Sequence, residues 1–203
     1  MESSETAKAS QSISFITHMD TRHLRWATVF ASLIAFCKGR DELIPSDLLA
    51  GIYVANWERV SIFWPHPELF DDFIAEHCDW TEPRWMTWHR WEDESRNEAR
   101  RIRLPFDFKI SFLPSTKKRF FGSAFQGSPD WQRIVETGEK LTPYKVPWRG
   151  QILPLLTPEV MLLAFIRTEN VFVGKHLQGT GLLVDKLEEA AKRYIEKPEK
   201  LMF

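Results

Sequence analysis

Residues 43–59, Leu43-Ile44-Pro45-Ser46-Asp47-Leu48-Leu49-Ala50-Gly51-Ile52-Tyr53-Val54-Ala55-Asn56-Trp57-Glu58-Arg59, admit two conformations, and the choice between them sets the fold. In one, Ser46 caps a single helix running from Asp47 to Trp64. In the other, Leu49 to Ala55 is a strand, because Ile52-Tyr53-Val54 favours β structure, and a helix begins near Asn56. Gly51 costs a helix interior about 1 kcal/mol relative to alanine, which tips the reading to strand then helix.

Upstream, Leu24, Trp26, Ala27, Phe30, Leu33, Ile34 and Cys37 recur at spacings of three and four, which predicts an amphipathic helix over Thr21 to Lys38. Gly39-Arg40-Asp41-Glu42 breaks it. Downstream, Pro65 and Pro67 precede a helix over Glu68 to Cys78, with Leu69, Phe70, Phe73 and Ile74 on one side. Trp85, Trp88 and Trp91, three apart, read as a helix row docking on a sheet, before the solvated charge run Glu92 to Arg103. Leu104 to Leu113 alternates like a strand between prolines. Ser115 to Lys140 reads as loop-rich. Pro158 to Ile166 reads as a helix with Thr157 as N-cap and Pro158 at its first position. The last helix spans Leu182 to Glu196, with Leu183, Leu187, Ala190 and Tyr194 inward. Residues 1–12 read as a flexible N-terminus and 13–203 as one α+β domain, a small mixed sheet flanked by helices.

The 203 residues are 43% hydrophobic and 27% charged, with 27 Lys and Arg against 28 Asp and Glu. The net charge of −1 and pI of about 6.6 argue against a nucleic-acid binder. Cys37 and Cys78 are too few for a disulfide scaffold or a zinc ribbon. No stretch reaches the roughly 18 apolar residues of a membrane span, and MESSETAKASQS lacks a signal-peptide core, so a cytoplasmic location is expected. The 15 Phe and 9 Trp imply aromatic core packing, with a stacking platform as the alternative. Phosphate loops, His-Glu-x-x-His and Gly-x-Ser-x-Gly are missing, and the six histidines show no metal spacing.

Four segments recur in order: Ser32-Leu33-Ile34-Ala35-Phe36-Cys37-Lys38; Leu43-Ile44-Pro45-Ser46-Asp47 with the following Gly51-Ile52; Phe106-Asp107-Phe108; and Trp148-Arg149-Gly150 with Thr157-Pro158-Glu159. Together they resemble the LicD/fukutin family of nucleotidyltransferase-fold phosphotransferases, over residues 24 to about 170. The resemblance implies a nucleotidyltransferase-like fold. It also implies a reaction in which a phosphocholine or phospho-sugar group moves from a CDP-linked donor to a glycan acceptor. Asp47 and Asp107 would be the catalytic, metal-binding carboxylates for Mg²⁺ or Mn²⁺. Ser32, Lys38 and Arg149 would bind substrate.

Such chemistry needs carboxylates at i and i+2 of a strand, which share a face, and a third acid nearby to complete an all-oxygen cage. In that register Leu49 stands where the family has a carboxylate, and an alkyl group cannot bind a hard cation. Ala31 and Ala35 replace the glycines of the phosphate turn, and Lys38 replaces an arginine. One alternative is a catalytically degenerate relative whose aromatic surface engages a protein partner; another is a helical protein unrelated to the family, in which Asp47 to Trp64 would form one continuous helix. Taken singly, the residues have structural roles too. Asp47 suits a helix N-terminus, Asp107 a strand edge, Lys38 a helix C-terminus and Arg149 a turn.

Overall fold

The computed structural model describes residues 18–78 and 125–193 in full, and residues 87–90 and 108–111 as backbone. Thr21 opens helix α1 (Arg22–Cys37), its hydroxyl accepting the Leu24 N–H at 3.4 Å. Leu24, Ala27, Phe30, Ala31, Leu33 and Ile34 form the buried side of α1, as the periodicity predicts.

The deciding stretch is helical. Helix α2 (Pro45–Val60) takes in all of Leu49 to Ala55, and a 3-10 turn over Ser61–Phe63 extends it. The expected strand is therefore corrected. Its physical reason lies in Gly51: a Cβ there would stand 2.1 Å from the carbonyl oxygen of Ala27, so only glycine lets α2 cross α1 at this distance. Ala27 and Ala31 form the other side of the close crossing, both fully buried. Burial of Leu48, Leu49 and Ile52 in the common core outweighs the ~1 kcal/mol propensity cost of the glycine. The helix departs from regular geometry at Asn56 (φ −137°, ψ 21°), whose Nδ2 donates to the His23 carbonyl at 3.3 Å. That contact runs α2 antiparallel to α1.

Helix α3 (Glu68–His77) buries Phe70, Phe73 and Ile74, while Leu69, expected on the same side, is 40% exposed. Phe70 stacks on Trp64 with centroids 4.0 Å apart. Helix α4 (Pro129–Leu141) lies in the segment expected to be loop-rich. Ser128 caps it, accepting the Trp131 N–H, and Pro129 opens it, so local start signals outweighed the nearby glycines. Helix α5 (Pro158–Arg167) starts as predicted, with the Thr157 hydroxyl accepting the Val160 N–H at 3.2 Å. Helices α6 (Phe172–Gly179) and α7 (Val184–Arg193) close the core with Val173, Leu177, Leu187 and Ala191. Leu183, expected inward, is 40% exposed.

The strands are short. β1 (Met19–Asp20) runs parallel to β7 (Gln151–Leu156), which pairs antiparallel with β6 (Lys145–Trp148), giving a mixed sheet in the order β1-β7-β6. β2 (Glu42–Leu43) pairs parallel with β5 (Gln126–Gly127). β3 (Thr87–Arg90) pairs antiparallel with β4 (Phe108–Ser111), inside the strand expected over Leu104 to Leu113. Trp88 thus stands in a strand, not a helix, while Trp85 and Trp91 lie outside the described residues. The architecture is mixed α/β, dominated by helices. The sheet containing β7 forms its own small cluster of Met19, Val146, Leu153 and Leu155 beside the helical core.

Candidate functional site

Asp47 is the residue on which the transferase reading turns. It sits in the first turn of α2, its side chain fully buried. Ile44, at the N-cap position, has no oxygen to offer, so the Asp47 carboxylate reaches back and accepts the Ile44 N–H at 3.0 Å. Arg40 closes the other side in a bidentate pair, Nη1 to Oδ2 at 2.9 Å and Nη2 to Oδ1 at 2.8 Å. Nη1 of Arg40 also donates to the Glu42 carbonyl at 2.8 Å. The hydrogen bonds to Asp47 hold the Arg40 guanidinium protonated above its ordinary range.

This donor set does not fit a divalent cation. Both carboxylate oxygens already accept hydrogen bonds, and a fixed positive charge stands against them. Leu49 is buried in the core and two residues on from Asp47, which on a helix turns it to a different side. The strand register that set Asp47 and Leu49 on one face is therefore corrected with the strand itself. Asp107 lies outside the described residues. Among the described residues no three His, Cys, Asp or Glu side chains gather as a metal-binding group.

The substrate-binding candidates are each engaged differently. The Ser32 hydroxyl donates to the Thr28 carbonyl one turn back in α1, at 2.9 Å, so Ser32 sits on a continuous helix and not in a phosphate-cradling turn. Lys38 ends α1, and its Nζ donates to the Cys78 carbonyl at 3.2 Å, tying down the end of α3. Arg149 turns the β6–β7 hairpin in the left-handed region (φ 47°), followed by Gly150 at φ 79°, a backbone pair suited to a tight hairpin. Its guanidinium lies 5.5 Å from the centre of the Trp148 ring. The structure thus puts these residues in the middle of α1, at its end and in a hairpin, each with a partner of its own.

Two features escaped the sequence reading. Arg40 is the partner of Asp47, and the only hint was a basic residue in a short loop before an acidic helix start. Arg59 of α2 pairs with Glu159 in the first turn of α5, through Nε to Oε1 and through Nη2 to Oε2 at 3.0 Å. The Glu159 side chain is 4% exposed. His23 stands beside this pair; burial, then the Arg59 charge, pushes its pKa down. A carboxylate after Thr-Pro at a helix start carries a signal for the cap, and none for a partner 100 residues away. Burial pushes the thiols up, Cys37 to about 11 and Cys78 to about 12, so neither is poised as a nucleophile at neutral pH.

The class these observations define is a mixed α/β, mainly helical protein, in which no helix among the described residues is long and apolar enough to cross a membrane. Comparison with protein-family models, with curated proteins and with solved structures finds no match to this chain.

Proposed function

We propose that the chain acts as a protein-interaction module and not as a metal-dependent transferase. The observation that carries this reading is the closure of Asp47 by Arg40 and the Ile44 N–H, which leaves its carboxylate a structural role at the start of α2. A LicD-like transfer of a phospho-group from a CDP-linked donor to a glycan would require Asp47 to leave Arg40 and meet Asp107 around Mg²⁺ or Mn²⁺. Support for binding comes from the surface, where Phe172 is 63% exposed, Ile62 52% and Leu69 40%, apolar side chains that a partner could cover.

Thermal unfolding of the wild type and of Asp47→Asn, each with and without Mn²⁺ plus CDP, tests the proposal. The expected result is no ligand-induced rise in melting temperature for either protein. A rise in the wild type that Asp47→Asn abolishes would overturn the module reading and restore the transferase.

A further inference from the structure

The described surface carries a groove of about 460 Å³ between α3 and α6, within the range of ligand clefts, roughly 300–1,000 Å³. Phe73, His77 and His176 line it, and Phe172 borders it through its ring contacts with His176 and His77. Phe73 and His77 of α3 lie 4.6 Å apart, His77 faces His176 of α6 at 5.3 Å, and Phe172 lies 4.1 Å from His176. Phe73 is buried and anchors this train, whereas Phe172, at 63% exposed, leaves a ring open to solvent. The His176 Nδ1–H donates to the Phe172 carbonyl at 3.0 Å, which fixes the orientation of the imidazole.

The charges beside the rings are mostly negative. Asp72 and Glu76, one helical turn apart on α3, line the groove and are exposed. Lys175 of α6 lines it too, so two carboxylates stand against one ammonium. Glu76 also lies 3.8 Å from His77 Nε2. Rings and carboxylates along one groove make a site for a flat cation, which stacks on an exposed ring while its edge donates to the acids. Guanidinium meets both demands, and a compact ammonium meets only the second.

We infer that the groove between α3 and α6 binds an arginine side chain of a partner protein, stacked on Phe172 and His176 and paired with Asp72 and Glu76. The inference rests on the interaction-module reading and names the partner's chemistry.

The test is a titration of the isotope-labelled full chain with the peptide acetyl-Gly-Ser-Arg-Gly-Ser-amide, followed through the ring resonances of Phe172, His77 and His176. Matched peptides carry citrulline or glutamate at the central position. The arginine peptide is expected to move these resonances, more weakly as salt is added. The citrulline peptide is expected to bind about two- to fivefold more weakly, and Phe172→Ala to weaken the arginine peptide by a similar factor. Asp72→Asn and Glu76→Gln, at exposed positions that keep the side-chain shape, should each reduce affinity up to about threefold.

Equal binding of the glutamate or citrulline peptide, or shifts confined to other residues, would overturn the inference. So would binding unaltered by Phe172→Ala and Glu76→Gln, or a self-association of the chain that covers the groove without regard to Asp72 and Glu76. Those outcomes leave the module reading intact. A response to Mn²⁺ and CDP through Asp47 would sink that reading instead.

Discussion

Two arginine–carboxylate pairs hold the ends of α2, and they join different things. Arg40 and Asp47, seven residues apart, fasten the start of the helix to the loop that enters it. Arg59 and Glu159, 100 residues apart, fasten its end to the first turn of α5. The chemistry is the same, a guanidinium gripping a carboxylate that sits at a helix N-terminus, where the macrodipole also favours negative charge. The reach differs. The first pair is a capping device that happens to use up the side chain the transferase reading needs. The second is a tertiary clamp; the carboxylates of both pairs are buried.

Breaking the clamp should have the largest effect. Arg59→Leu leaves Glu159 buried without its partner, and unfolding by urea should show a loss of about 3–5 kcal/mol. Arg40→Leu should cost less, about 2–3 kcal/mol, because Asp47 keeps the Ile44 N–H. An equal or larger loss at Arg40 would mean that the Ile44 N–H does not compensate for the missing guanidinium. Gly51→Ala tests what the pairs align. At an exposed helix position that change stabilises by up to about 1 kcal/mol, but against the Ala27 carbonyl it should destabilise by about 1–3 kcal/mol. A stabilised variant would show that α1 and α2 do not cross here.

The smallest expected effect is one of pH and distinguishes the two ends directly. His23, beside Arg59 and Glu159, has its pKa lowered by burial below the ordinary 6.5. Its folded value lies below its unfolded one, so the unfolded state binds the extra proton. Stability from this group is complete above about pH 6.5 and falls as the pH drops through the depressed value. His23→Gln should flatten that limb of the stability curve without changing the response to Arg40→Leu. A stability curve from pH 7 to 4.5 that is unaltered by His23→Gln would show that another group carries it.

The elements read correctly from sequence share a feature: their signals act within one helical turn. Thr157-Pro158 set the start of α5, and the three-four spacing of Leu24, Ala27, Phe30, Leu33 and Ile34 set the buried face of α1. Ser128-Pro129 carried the same kind of start signal for α4 but stood among glycines that read as loop. The candidate site was legible only as residue types. Ser32, Lys38 and Arg149 matched a pattern in order, yet in the fold they belong to the middle of one helix, its end and a hairpin. An ordered match along a chain says nothing about convergence unless the intervening elements have the expected kind, and the segment after Pro45 does not.

What the sequence determined by itself is the near-neutral charge, the helix starts with built-in caps and the apolar faces that repeat every turn, since each depends on neighbours within about four residues. Only the tertiary structure decided the state of residues 45–60. A glycine in a helix is a loss against solvent and a requirement where another backbone passes within contact distance, and the chain around Gly51 holds no mark of which applies. The same holds for Asp47. A carboxylate in a first turn can cap, pair or bind a cation, and its use was settled by where Arg40 came to rest.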